Sequence, residues 1–169
     1  MKRKWALRPP ARHNVKKPKA CAMTEIAFHF NTPHKLNYAC RLLRKAFSSG
    51  AKVMVWAPTE RLTELDMALW EVGANDFVAH CMIDAPDYVL SRSPIVLCSD
   101  VSPLNALPHH EVLLSLGDTL ASGFEKFERV IELVSTDDED KALARLRWKT
   151  YQERGYSMKR HDLSQKTPA

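Results

Sequence analysis

Residues 25–56 read EIAFHFNTPHKLNYACRLLRKAFSSGAKVMVW, and this stretch decides the fold. Ile26 to Phe30 is extended and aromatic in character, which predicts a strand. Thr32-Pro33 then offers an N-cap and a first-turn proline. Leu36, Ala39, Cys40, Leu43 and Phe47 recur at three- and four-residue spacing, the signature of a helix with one buried face, and Ser48-Ser49-Gly50 supplies its stop. Val53 to Trp56 is apolar throughout, as a strand buried on both faces would be.

The pattern continues outward. Pro58-Thr59 introduces a second helix whose Leu62, Leu65 and Leu69 form a stripe reaching Trp70, with Gly73 as its break. A short stretch around Phe77 to Ile83 and three strand candidates follow, at Ile95 to Cys98, Glu111 to Leu116 and Arg129 to Val134. Strands that alternate with helices, and are apolar along their whole length, predict an α/β protein: a Rossmann-like three-layer sandwich with a mostly parallel sheet. The last helix is predicted to open at Thr136, where Thr136-Asp137-Asp138-Glu139 has the spacing of a capping box, and to run to about Gly155.

Residues 1–22 hold eight basic side chains, no acidic one, and Pro9, Pro10 and Pro18. They have no apolar period and are expected to form a disordered basic tail, with the α/β domain over residues 23–160 and a flexible C-terminal tail over 161–169. Removing the tail from the count matters. The whole chain carries +5, but the remainder has 17 Lys+Arg against 20 Asp+Glu, a net charge of −3. A mildly acidic domain lacks the broad basic surface of a dedicated DNA-binding module. Apolar runs such as Val112 to Leu116 are far shorter than the ~20 residues of a membrane span. Cys21, Cys40, Cys81 and Cys98 are scattered without a Cys-x-x-Cys pair. Reduced thiols in the cytoplasm fit that usage.

Catalytic signatures are missing from the sequence. The first strand-to-helix turn, His29-Phe30-Asn31-Thr32-Pro33-His34, has no glycine to let a pyrophosphate approach the backbone and no P-loop Lys-Ser/Thr pair. His109, His110 and Glu111 are adjacent, whereas ligands on one helix face stand three or four apart, so a loop is the better reading there. No Gly-x-Ser-x-Gly elbow occurs. The expectation is a binding protein with no cofactor and no resident metal.

The last helix carries the feature that calls for a partner. At 100° per residue Lys141, Arg145, Trp148 and Gln152 share one arc, while Leu143, Leu146 and Thr150 lie opposite. A tryptophan among cations, with Lys149 beside it, is either the wall of a pocket or a rim side chain covered by an arginine stem. As a pocket it would suit an apolar ring with a carboxylate, such as the end of a peptide, or a stacked base with its phosphate.

Three segments, Leu65-Asp66-Met67-Ala68-Leu69-Trp70, Asn75-Asp76-Phe77-Val78-Ala79-His80 and Leu143-Ala144-Arg145-Leu146-Arg147-Trp148-Lys149-Thr150-Tyr151 leading into Gly155-Tyr156, carry a resemblance. In their order and separations, over about residues 24–160, the chain resembles the chi subunit family of bacterial DNA polymerase III. The resemblance implies a non-catalytic accessory subunit in DNA replication. It implies a partner-tail site at Trp70, Lys141, Arg145, Trp148 and Lys149 for the acidic C-terminal tail of single-stranded-DNA-binding protein. It also implies a second face, at Phe77, for the psi subunit and through it the clamp loader, with DNA met indirectly. The sequence departs from the family in its basic extension, in tryptophan rather than tyrosine at 148, and in the less basic Gln152 and Glu153. Two other readings compete: a nucleotide-binding enzyme on the same fold, and a module that binds single-stranded DNA directly.

Overall fold

The computed structural model describes residues 23–71, 77–99 and 107–164. The basic tail, Gly73, the Asn75-Asp76 pair and the last five residues lie outside them. Seven strands form the sheet: β1 (Glu25–Thr32), β2 (Val53–Trp56), β3 (His80–Met82), β4 (Ile95–Cys98), β5 (Val112–Ser115), β6 (Arg129–Ser135) and β7 (Met158–Asp162). The helices are α1 (Lys35–Ser49), α2 (Thr59–Trp70), the single turn α3 (Asp87–Leu90) and α4 (Asp138–Glu153), with a 3-10 turn at Phe124–Lys126 before β6. Strand order is β3-β4-β2-β5-β6-β1-β7, and every pairing is parallel.

Alternation along each strand sends side chains to opposite faces and builds two cores. Ile26, Phe28, Met54, Val96, Leu113 and Val130 meet Ala144 and Tyr151 of α4 on one face. Val53, Val55, Ile95, Leu97, Leu114 and Leu133 meet Ala39 and Leu43 of α1 and Leu62, Leu65 and Leu69 of α2 on the other. The apolar stripes read from the sequence of α1 and α2 are the ones that are buried. Gly50 ends α1 in the left-handed conformation (φ 75°), and its N–H bonds the last turn.

Both expected caps are corrected. Thr32 is the last residue of β1, aligned with Ser135, and α1 starts at Lys35 with His34 in the cap position and no side-chain cap. Asn31 in left-handed backbone (φ 59°) and a register shift between His29 and Thr32 keep Thr32 on the ladder, so Pro33 precedes the helix. Thr136 does not close a capping box either. The cap position of α4 is Asp137, again with no side-chain cap. Asp140 accepts the Ser135 N–H at 2.8 Å and the Lys35 ammonium at 3.0 Å, and Ser135 Oγ donates to Asp137 at 3.1 Å. Those acids are turned back toward the end of β6, tying α4 to the sheet and to α1.

The phase of α4 is the larger correction. Leu146, expected on the buried side, is 63% exposed. The buried positions are Ala144, Arg147 and Tyr151. Arg147 donates through Nε to Glu132 at 3.2 Å and through a terminal nitrogen to the Asp118 carbonyl at 2.8 Å, while the Tyr151 hydroxyl donates to Glu132 at 2.8 Å. Burial pushes the Glu132 carboxyl up, opposed first by the Arg147 charge and then by the Tyr151 hydrogen bond. A buried carboxylate and guanidinium in mutual contact replace the leucines that periodicity put there.

β7 was not legible in the sequence. Its Met-Lys-Arg-His-Asp run has no apolar pattern because the strand is the outermost of the sheet and is mostly exposed. It runs past the expected boundary at residue 160, and the Leu163 N–H still bonds the Phe30 carbonyl at 3.1 Å.

His109 lies in a loop before β5, as its sequence context suggested. It is buried, and neither ring nitrogen has a hydrogen-bond partner. Burial, assisted by the Lys52 charge, pushes its pKa down to about 4. The unfolded chain, titrating near ~6.5, therefore takes up the proton first as pH falls. That stability is intact above the unfolded value and is lost as pH drops toward the folded one. Between pH 7 and 5 the loss from this group should be about 2 kcal/mol. His109→Leu should remove that part of the slope; urea titrations of both proteins across this range check it, and parallel slopes would refute the assignment.

Candidate functional site

Two separate surfaces hold the residues singled out in the sequence. The first lies on α4. Trp148 is half-buried and packs on the two aromatic side chains that β1 sends to this face: its ring centroid is 4.9 Å from Phe28 and 6.2 Å from Phe30. It is therefore anchored, on the helix flank that also carries Lys141 and Arg145 at three- and four-residue spacing. Lys141 lies 3.6 Å from Asp138 and Lys149 3.8 Å from Glu153, both solvent-side pairs one turn apart on the helix. Arg145 is exposed and makes no ion pair among the described residues. An exposed guanidinium one turn from an anchored indole suits a ligand carrying a carboxylate and an apolar ring. Phe30, the floor of this surface, was read only as part of a strand; its alternation with Phe28 was the available signal.

Trp70 is not part of that surface. It ends α2, which covers the opposite face, and its ring lies 5.2 Å from His80 of β3. Trp148 packs on β1, and four strands lie between β3 and β1 in the sheet. At about 4.8 Å per strand that is a separation of roughly 24 Å. Of the five residues expected to share a site, Lys141, Arg145, Trp148 and Lys149 lie together on α4, whereas sheet order carries Trp70 to the far edge.

There it forms the second surface with Phe77, 5.5 Å from ring to ring. Both side chains are 60% exposed, and Met67, one turn earlier on α2, is 61% exposed. Large apolar side chains clustered in water mark a docking surface. His80 holds the patch from beneath. The ring nitrogens of its buried side chain lie 2.7 Å from the Val78 carbonyl (Nδ1) and 3.1 Å from the Asp66 carboxylate (Nε2). Asp66 and His80 thus position the motif residues Trp70 and Phe77 that follow or precede them.

Neither surface has the makings of a metal centre; among the described residues no three His, Cys, Asp or Glu side chains gather as ligands. No described helix is long and apolar enough to cross a membrane.

Comparison with known proteins settles the family. Residues 23–159 match the family model described as DNA polymerase III chi subunit, HolC. The chain belongs to the DNA polymerase III chi subunit family. It is 33% identical over 132 residues to the DNA polymerase III subunit chi of Pseudomonas aeruginosa, an alignment covering 76% of this chain and 87% of that one. The Haemophilus influenzae subunit is 30% identical over 122 residues, covering 71% and 81%, and the Escherichia coli subunit 27% over 120, covering 70% and 79%. The C-terminal domain of the DEAD-box protein Dbp5 superposes with a TM-score of 0.54 at 13% identity, covering 86% of this chain and 93% of that one, a likeness of fold alone. As a chi-family member the protein is an accessory subunit of the replicative polymerase, and the aromatic motifs that signalled the resemblance are the ones that build its two surfaces.

Proposed function

We propose that this chi-family chain couples two replication proteins through its two surfaces. The α4 surface takes the acidic C-terminal tail of single-stranded-DNA-binding protein, and the Trp70–Phe77 patch takes the psi subunit and so reaches the clamp loader. The observation that carries this reading is the division itself. One aromatic surface is flanked by cations, with Arg145 in no ion pair among the described residues; the other is apolar and lies on the opposite face. A charged, ring-ended peptide and an apolar protein face therefore have separate places to bind.

On the α4 surface Arg145 grips the peptide's terminal carboxylate, and Trp148 with Phe30 receives its last ring. A guanidinium holds a carboxylate by two parallel hydrogen bonds, which an ammonium does not reproduce. Arg145→Ala should cost about 1.5–3 kcal/mol, roughly ten- to 150-fold in affinity. Arg145→Lys should recover part of it. Lys141→Ala and Lys149→Ala remove already paired, solvated charges and should each cost under about 1 kcal/mol, less at higher salt. Calorimetry with the tail peptide and its C-terminally amidated form tests this. Unchanged affinity on amidation, or parental binding by Arg145→Ala, would refute the carboxylate grip.

A further inference from the structure

The Phe30 ring has a flank that α4 does not cover, and the guanidinium of Arg160 lies over it, with Cζ 5.4 Å from the ring centroid. Arg160 comes from β7, the strand that no apolar pattern announced. The register aligns Arg160 with Phe28. In a parallel ladder aligned side chains leave on the same side, so Arg160 emerges on the α4 face of the sheet. It is exposed and makes no ion pair among the described residues. Asp162 is already engaged by Asn31 at 2.8 Å and by the Ser164 hydroxyl at 2.7 Å, the bonds that chiefly hold its carboxyl low, with a smaller contribution from the Arg160 charge.

Two aromatic rings, Trp148 and Phe30, and two guanidiniums thus line one surface, with Phe28 buried beneath. Arg145 precedes Trp148 by three residues on α4, Phe30 lies on the other side of the indole, and Arg160 covers the outer flank of Phe30. An arginine stacked on a ring keeps its N–H edges free, and the stacking fixes its direction before any ligand arrives.

We propose that Arg160 is a contacting residue of the α4 site, meeting the carboxylates that precede the terminal residue of an acidic C-terminal peptide. This rests on the tail-binding reading above. The peptide runs from Arg145, which holds its end, across Trp148 and Phe30 to the edge strand. The surface that binds it is therefore shared between a helix and β7.

A double-mutant cycle by calorimetry tests this, with the full chain and Arg160→Ala, Arg160→Lys and Arg145→Ala variants. The ligands are an acidic peptide ending in Phe and the same peptide with its internal acids changed to Asn. Arg160→Ala should weaken the acidic peptide about three- to fivefold and leave the Asn peptide unchanged. Arg160→Lys should recover only part of the loss. Equal losses with both peptides would overturn the contact, since Arg160 would then act only by shaping the Phe30 ring. Parental affinity of Arg160→Ala, with Arg145→Ala weakened, would overturn it while the tail-binding reading stood. Failure of the parent to bind either peptide would instead remove that reading, and this inference with it. Loss of oligothymidylate binding in Arg160→Ala, with peptide affinity intact, would assign the edge strand to nucleic acid and overturn the proposal.

Discussion

Replacing Arg147 with leucine should cost the domain about 3–5 kcal/mol, although the position faces no partner and lies outside both surfaces. Arg147 is 3% exposed and Glu132 is fully buried, so the substitution strands a carboxyl whose charge no longer has a counter-ion. It also strips the Asp118 carbonyl of its donor at 2.8 Å. Glu132 then either stays charged in an apolar site or takes up a proton, and each outcome lowers stability relative to the parent. Thermal unfolding should show the midpoint falling by roughly 6–20 °C at about 2–4 °C per kcal/mol for a chain of this size. Arg147→Leu combined with Glu132→Leu should regain much of the loss, because two apolar side chains leave no uncompensated charge. A single variant within 1 °C of the parent would show that the pair contributes nothing.

Phe77→Lys and Trp70→Ala should each weaken capture of psi by about 30-fold or more, the range for a central aromatic at an interface. Both rings are 60% exposed and 5.5 Å apart, so either change opens the same patch. Tail-peptide affinity should stay within twofold in both, since Trp148 and Arg145 lie on the other face of the sheet. The Trp70 result is the sharper of the two. If Trp70→Ala weakened the peptide as Arg145→Ala does, the two surfaces would be one. Equal loss of both partners in both variants, with normal melting, would have the same meaning. Pull-down with psi and calorimetry with the peptide on the same preparations separate these outcomes.

The elements that the sequence disclosed share one physical property. β4 is buried along its whole length and β2 all but its final Trp56, α1 and α2 each bury one apolar stripe, and burial of that kind writes itself into local composition. Ile95 to Cys98 could be bounded to the residue because Pro94 and Ser99 flank it. The capping residues were less legible, since Thr32 and Thr136 had the right side chains but the ladder and the turn at the end of β6 used other positions.

By itself the sequence determined the parallel α/β sandwich, the faces that α1 and α2 bury, the two aromatic motifs and, through them, the family. Tertiary structure alone decided three things. It placed β7, because an outer strand in water needs no apolar pattern. It set the phase of α4, because Arg147 is buried against Glu132, a partner on another element that no count along the helix can register. And it assigned Trp70 to Phe77 rather than to Trp148, because which motifs meet depends on strand order across the sheet, a long-range property that local spacing does not encode.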